Sequence, residues 1–236
     1  MTIIIANEIN EVESHLKSIL ERVSKEAIQT GNVFKIGISG GSALTYFTNS
    51  VLSMQEDFGK WKIFFCDERV VPEDDKDSTY GTVKRGLLTK RKFNEEQFIK
   101  ISPGLSASDA AAEYIQQMER YFKKGSFPDF DLLLLGMGPD GHICSLFPGH
   151  ELLDEKQVWV ASLENSPKPP PCRITLTLPV VNNAKNCVFI ATGEEKAEIA
   201  KRVLIDKDQT LPASRVCPHT GNLYWIVDKG VTKYFT

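Results

Sequence analysis

The sequence predicts an α/β domain with a mostly parallel sheet flanked by helices. Apolar runs of strand length alternate with stretches of helical period along the 236 residues, which is the pattern of repeated βα units. Several apolar runs end abruptly in loops rich in glycine or charge, as strands do at the carboxyl edge of a parallel sheet. The proline-rich segment 165–171 is expected to be a stiff loop rather than a linker, so residues 1–236 are expected to form a single domain.

The first half of the chain predicts three strands and the helices that follow them. Residues 1–5 have the pattern of a strand, and apolar residues recur at helical spacing from 7 to 29. The next strand, 33–38, runs into a glycine turn and a helix to about residue 52, and a third strand covers 61–66. Helices are expected at 80–88 and at 107–122, the latter with Ser108 as its N-cap.

The second half of the chain is expected to hold the central strand of the sheet. Residues 130–135 are almost entirely apolar, as in a parallel strand that is buried on both faces. Further strands are predicted at 174–178, 187–191 and 223–227, with a helix at 194–204. No internal repeat and no low-complexity segment interrupts this alternation.

Composition and charge exclude several classes of protein. Hydrophobic residues make up 42% and charged residues 25% of the chain, as in ordinary globular proteins. The net charge of −3 provides no general field for nucleic acid. No stretch approaches the roughly 20 apolar residues of a membrane span, and the first residues lack the pattern of a signal peptide. We therefore expect a cytoplasmic protein that binds neither nucleic acid nor membranes.

The five cysteines are scattered and include no CxxC pair, which favours reduced thiols over a disulfide framework. Cys66 and Cys187 lie in apolar runs and are expected in the core. Cys144 lies two residues after His142, so a nucleophile–base pair is conceivable, but packing beneath the loop is the preferred interpretation. A zinc site from His142, Cys144 and His150 has no standard ligand spacing, and we expect no metal.

The loop after the predicted central strand is the strongest site candidate. Gly136, Gly138 and Gly141 allow conformations and close approaches that other residues resist, and the loop delivers His142. Histidine can act as both base and acid near neutral pH. Asp140 is a candidate to orient the ring, although a spacing of two residues does not itself establish contact.

A second candidate is the turn that contains Gly40, Gly41 and Ser42. The turn follows a predicted strand and opens a helix, so its backbone N–H groups are suited to an anion or an oxyanion. It has neither the Walker lysine nor the dinucleotide fingerprint. Tight packing alone would also explain such a turn.

Charged residues follow other predicted strands. Asp67, Glu68 and Arg69 come directly after the strand at 61–66, and the Arg69 guanidinium is suited to phosphate or carboxylate. Lys168 and Arg173 flank the prolines, where little conformational freedom remains to be lost on binding. Solvated surface charge would explain each of these features equally well when it is taken alone.

Taken together, these blocks resemble the 6-phosphogluconolactonase family in sequence and in order. The matching segments are GMGPDGHICSLFPGH at 136–150, GISGGSA at 37–43, FCDERVVP at 65–72, DSTYG at 77–81 and SPKPPPCRIT at 166–175. Two positions depart from the family pattern: Ile143 follows the histidine where threonine is common, and 73–77 lacks a histidine often found there. Neither departure removes a catalytic group.

The resemblance implies a Rossmann-like sheet similar to that of glucosamine-6-phosphate deaminase, and hydrolysis of 6-phospho-D-glucono-1,5-lactone without a cofactor. His142 would deprotonate water with Asp140 beside it, and Arg69, Lys168 and Arg173 would surround the phosphate. The resemblance further implies that the substrate is contacted by Gly40, Gly41, Ser42, Asp67 and Gly141.

Two other functions stay open at this point. A deaminase uses a similar loop, but there the histidine precedes a segment resembling AFNEP, whereas this chain has Ile143 and Cys144 next. A non-catalytic phosphosugar-binding module is the other alternative. We expect a monomer, with a dimer as the alternative, and a phosphosugar lactone as the small-molecule partner.

Overall fold

The computed structural model describes residues 1–90 and 92–235 and has a six-stranded, entirely parallel central sheet. The strands are β1 (Thr2–Ala6), β2 (Phe34–Ile38), β3 (Trp61–Phe65), β5 (Leu132–Gly136), β8 (Asn186–Ala191) and β9 (Asn222–Asp228). Their order across the sheet is β1-β9-β8-β5-β2-β3. The predicted α/β class with a mostly parallel, helix-flanked sheet is confirmed.

Within the described residues, five of the six α-helices overlap segments that were predicted as helices, and the helix at 178–182 was not predicted. The helices are α1 (Ile9–Gly31), α2 (Ser42–Ser53), α3 (Thr79–Val83), α4 (Ala107–Met118), α5 (Leu178–Asn182) and α6 (Ala197–Leu204). Ser106, not Ser108, caps α4, since its side chain accepts a hydrogen bond from the backbone N–H of Asp109. The segment predicted as a helix at 80–88 is divided between α3 and a π-helical turn, Lys84–Leu88.

A small antiparallel sheet was not predicted. It consists of β4 (Asp67–Arg69), β7 (Arg173–Leu176) and β6 (Val160–Leu163), in the order β4-β7-β6. β4 has three charged residues and no apolar alternation, so its sequence carries no strand signal. The sheet pairs Arg69 with Arg173 in register, and it thereby joins the two charged segments that flank the carboxyl edge of the main sheet.

The sheet separates two apolar cores, as alternation along its central strand requires. Leu133 and Leu135 of β5 pack on the side of α4, α5 and α6, whereas Leu132 and Leu134 pack on the side of α1 and α2. All four leucines are fully buried. The loop after β5 is therefore held in the middle of the carboxyl edge. No helix in the described part of the chain is long and apolar enough to cross a membrane.

Candidate active site

Loops from four parallel strands meet at the carboxyl edge and enclose a cleft of about 230 Å³. They follow β2, β3, β5 and β8, so each side chain in the cleft is positioned by a strand end that is buried in the sheet. The predicted site residues that line the cleft are Gly40, Gly41, Ser42, Asp67, Arg69 and His142. Asp140, Gly141, Lys168 and Arg173 are not part of this lining.

His142 lines the cleft and is largely buried, with 18% of its side chain exposed. Its Nδ1 is hydrogen bonded to Oδ1 of Asp140, so the two residues are in direct contact. The ring lies 4.8 Å from the ring of Phe147, between centroids. A side chain at Gly138 would collide with the imidazole, which explains the need for glycine there. Because Nδ1 is engaged by Asp140, Nε2 is the nitrogen left to face a reactant.

The Lys168 ammonium lies close to both members of this pair. Its Nζ lies 3.0 Å from Oδ1 of Asp140 and 3.2 Å from Nδ1 of His142. Burial lowers the pKa of His142, and the Lys168 ammonium lowers it further, against the opposing effect of Asp140. Burial alone would raise the pKa of Asp140, but His142 and Lys168 bring it below its ordinary value. The arrangement favours a neutral imidazole beside an ionised carboxylate.

Two backbone N–H groups of the glycine loop are hydrogen bonded within the loop itself. Gly138 donates to the carbonyl of His142 at 2.9 Å, and Gly141 donates to the carbonyl of Gly138 at 3.0 Å. These two N–H groups are therefore not available to stabilise an oxyanion, and Gly141 acts through loop shape, with φ of +80°. Its predicted contact with substrate has no support in this geometry.

The turn before α2, unlike Gly138 and Gly141 of the loop, has backbone N–H groups that are not hydrogen bonded to any described residue. None of the described residues accepts a hydrogen bond from the backbone N–H of Gly40 or Gly41. Gly41 has φ of +72° and ψ of −150°, a combination that is practically restricted to glycine. This conformation points the start of α2 at the cleft, where the N–H groups and the helix dipole favour negative charge.

Arg69 lines the cleft, and not all of its N–H donors are hydrogen bonded to described residues. Its Nη1 donates to the carbonyl of Asp77 at 3.0 Å, while its buried Nε has no partner among the described residues. The buried Glu68 carboxylate accepts hydrogen bonds from the backbone N–H groups of Arg69, Thr79 and Tyr80. Glu68 therefore fixes the backbone that carries Arg69 against the start of α3.

Arg173 holds the proline-rich loop rather than pointing at a ligand. Its side chain is 4% exposed, and it donates to the carbonyls of Lys168, Pro169 and Pro170. Its Nη1 donates to Oγ of Ser145 at 3.3 Å, and Ser145 donates to Asp67 at 2.8 Å. These acceptors use almost all of the guanidinium N–H groups, which leaves Arg173 little capacity for the expected direct contact with phosphate.

Three of the five cysteines are packing residues. Cys66, Cys144 and Cys187 are buried, as the sequence indicated. Contact with the Cys66 thiol, together with burial, raises the pKa of Cys144 well above its ordinary value, which opposes a thiolate nucleophile. Within residues 1–90 and 92–235, no three His, Cys, Asp or Glu side chains are grouped to hold a metal ion.

Lys196 lines the cleft and was missed by the sequence argument. It follows β8, and burial lowers its pKa, while no described carboxylate lies within ion-pair distance of its ammonium. The signal was present: a strand end followed by Gly193 and a lysine is the same pattern that singled out the other loops. Lys196 is therefore a cation directed at the cleft from the fourth loop.

Comparison with known proteins gives a consistent result. The family model of glucosamine-6-phosphate isomerases/6-phosphogluconolactonase matches residues 7–225. The chain is 45% identical to the 6-phosphogluconolactonase of Homo sapiens over 209 residues, 86% of this chain and 81% of that protein. It is also 45% identical to that of Rattus norvegicus over 205 residues, 85% of this chain and 80% of that protein.

Solved structures show the same fold. The chain matches the 6-phosphogluconolactonase of Trypanosoma cruzi with a TM-score of 0.86 and 25% identity, over 100% of this chain and 97% of that one. It matches that of Thermotoga maritima with a TM-score of 0.84 and 23% identity, over 97% and 99%. The second likeness concerns the fold alone.

Proposed function

The chain belongs to the glucosamine-6-phosphate isomerase/6-phosphogluconolactonase family, and we propose that it hydrolyses 6-phospho-D-glucono-1,5-lactone to 6-phosphogluconate with His142 as general base. The activity places it in the pentose phosphate pathway. The observation that carries the assignment of the base is the hydrogen bond between His142 and Asp140 in the cleft where four strand ends meet, beside which the pKa values of both groups are lowered.

In the first step, Nε2 of His142 takes a proton from water as the water oxygen attacks the lactone carbonyl. Asp140 holds the proton on Nδ1 and stabilises the imidazolium that forms. The carbonyl oxygen becomes negative, and the N–H groups of Gly40 and Gly41 are the free donors that can stabilise it. An ester carbonyl is electrophilic without a metal ion, so the step needs no cofactor.

In the second step, the bond between the carbonyl carbon and the ring oxygen breaks. His142 returns its proton to the departing ring oxygen, which becomes a hydroxyl group of the open-chain product. The imidazole is neutral again, and the carboxylic acid that has formed ionises at neutral pH. The histidine thus serves as base and then acid in one turnover.

The substrate phosphate binds Arg69 and Lys196. Both line the cleft, and charge-assisted contacts between their cationic groups and phosphate are strong. Lys168 lies beside Asp140 on the Nδ1 side of His142, so its role is to position the pair and to keep the imidazole neutral. Asp67 lines the same cleft and is the candidate acceptor for a sugar hydroxyl.

Turnover on two substrates tests this function. We expect hydrolysis of freshly generated 6-phosphogluconolactone, after correction for spontaneous hydrolysis, and no release of ammonia from glucosamine 6-phosphate. Release of ammonia with no lactone hydrolysis would support the deaminase. Binding of both compounds without turnover of either would support the non-catalytic phosphosugar-binding module.

The remaining expectations concern location, assembly and extent of the domain. The free cysteines suit a reducing compartment such as the cytoplasm, and the negative net charge disfavours nucleic acid. We propose a monomer in which residues 1–236 form one domain. Size-exclusion chromatography with light scattering would show a dimer if this assignment of the assembly is wrong.

A further inference from the structure

A second pocket opens beside the catalytic cleft and is larger than it. The α2 pocket, as we call it, has a volume of about 420 Å³, within the range of roughly 300–1,000 Å³ that is typical of small-molecule sites. One wall is a face of α2 with Leu44, Thr45, Thr48 and Asn49, and the other is formed by residues 76–79, 82 and 86.

The lining of the α2 pocket has the chemistry of a site for an anion with hydroxyl groups. Thr45, Thr48 and Asn49 offer side-chain hydrogen-bonding groups along one helix face. Lys76 is exposed and makes no ion pair or hydrogen bond with any residue that the structure describes, although its sequence neighbours include three aspartates. Arg69 and Lys76 outnumber the acidic Asp77 in the lining, so the pocket favours negative charge.

The two pockets share residues. Gly40, Gly41 and Arg69 line both the α2 pocket and the catalytic cleft. The same Arg69 guanidinium therefore borders both spaces, with its Nη1 donating to the carbonyl of Asp77. An anion in the α2 pocket therefore competes for the charge that the proposed mechanism uses to hold the substrate phosphate.

We propose that the α2 pocket is a second, regulatory binding site for a sugar phosphate, and that its occupancy slows catalysis through Arg69. The occupant carries a phosphate monoester for Arg69 and Lys76 and hydroxyl groups for the face of α2. It can be the open-chain product of the reaction or another phosphorylated sugar. By thermodynamic reciprocity, a bound substrate lowers the affinity for this ligand by the same factor as the ligand lowers the affinity for the substrate.

Calorimetry with glucitol 6-phosphate, an unreactive sugar phosphate, tests the site without turnover. We expect two molecules bound per chain, one in each pocket. Lys76→Gln removes an unpaired cation and should weaken the second binding event about tenfold, and Thr45→Tyr should fill the pocket and abolish that event. Lys25→Gln, which also removes an exposed lysine without a partner among the described residues, should bind as the wild type does.

Kinetics with 6-phosphogluconate and glucitol 6-phosphate distinguish the two sources of ligand. We expect either compound to lower the rate even at saturating lactone, and Thr45→Tyr to remove that effect. Stronger inhibition by 6-phosphogluconate would identify the product as occupant, and equal inhibition would support sugar phosphates in general. Binding of one molecule per wild-type chain with purely competitive inhibition would overturn the proposal, as would equally tight binding of inorganic phosphate in the α2 pocket.

Discussion

Replacing Arg69 with methionine removes the guanidinium from the cleft while keeping an unbranched apolar stem of similar length. We predict that this variant loses efficiency on the phosphorylated lactone and retains its efficiency on unphosphorylated gluconolactone. The reason is that, among the described residues, the Arg69 guanidinium makes no hydrogen bond with His142, Asp140 or the turn at 40–41, and instead donates to the carbonyl of Asp77.

The size of the loss follows from the donors that Arg69 has left. Among the described residues, only one hydrogen bond, from Nη1 to the carbonyl of Asp77, engages the terminal nitrogens of the guanidinium, so one charge-assisted contact with phosphate is the minimum that the substrate gains. Such a contact contributes about 1.5–3 kcal/mol, and partial exposure of Arg69 to solvent favours the lower half of that range. A loss of about 2 kcal/mol corresponds to a decrease of roughly 30-fold in kcat/KM.

The assay measures kcat/KM for both lactones, corrected for spontaneous hydrolysis, in wild type, Arg69→Met and Arg120→Met. Arg120 is exposed and has no hydrogen bond or ion pair to a described residue, so its replacement controls for the loss of charge. Thermal unfolding of each variant checks the fold. Equal losses on the two lactones in Arg69→Met would refute the reasoning, because they would show that Arg69 supports the fold or the chemistry.

Three further outcomes are expected. Lys168→Met removes the cation that lowers the pKa of His142, so the acidic limb of the pH profile of kcat/KM should move to higher pH; an unmoved limb would contradict the role of Lys168. Gly41→Ala forces alanine into a glycine conformation at a cost of about 1–3 kcal/mol, so both the Tm and kcat should fall, and an unchanged Tm would be incompatible with the observed turn. Cys144→Ser should retain much of the activity, and a covalent acyl-enzyme trapped at Cys144 would disprove the water-attack mechanism.

The sequence was sufficient to predict the central strand and the loop that follows it. Leu132, Leu133, Leu134 and Leu135 are buried on both faces of β5, and an almost wholly apolar run is the expected sign of such a strand. Its glycine-rich end predicted where His142 would emerge. Local composition is sufficient here because burial on both sides and an abrupt turn are each visible within a few residues.

The sequence could not show contacts between segments that are distant along the chain. Lys168 and Asp140 are 28 residues apart along the chain, and Nζ of Lys168 lies 3.0 Å from Oδ1 of Asp140, a contact that the sequence did not predict. Arg173 was expected at the phosphate as well, but its donors bind the carbonyls of its own loop. In both cases the sequence shows a charged residue on a short loop but does not show which residue it will bind, because that depends on which segments the fold brings together.

The small sheet illustrates the same limit for backbone structure. β4 pairs with β7, and β7 with β6, yet Asp67, Glu68 and Arg69 have no strand pattern of their own. Pairing with a distant neighbour stabilises this strand, in the way that tertiary context overrides local preference in sheets. The end of β3, which directs the chain there, and the strand predicted at 174–178, which corresponds to β7, were the parts visible in the sequence.

The central claim is that His142 is the general base and acid of lactone hydrolysis. The most direct measurement is the enzyme-dependent rate for 6-phosphogluconolactone in His142→Ala, with folding checked by thermal unfolding. The account predicts a decrease in kcat of about 10²–10⁴-fold, the usual contribution of a general acid–base group, with little change in Tm. A folded variant that turns over lactone at nearly the wild-type rate would contradict it.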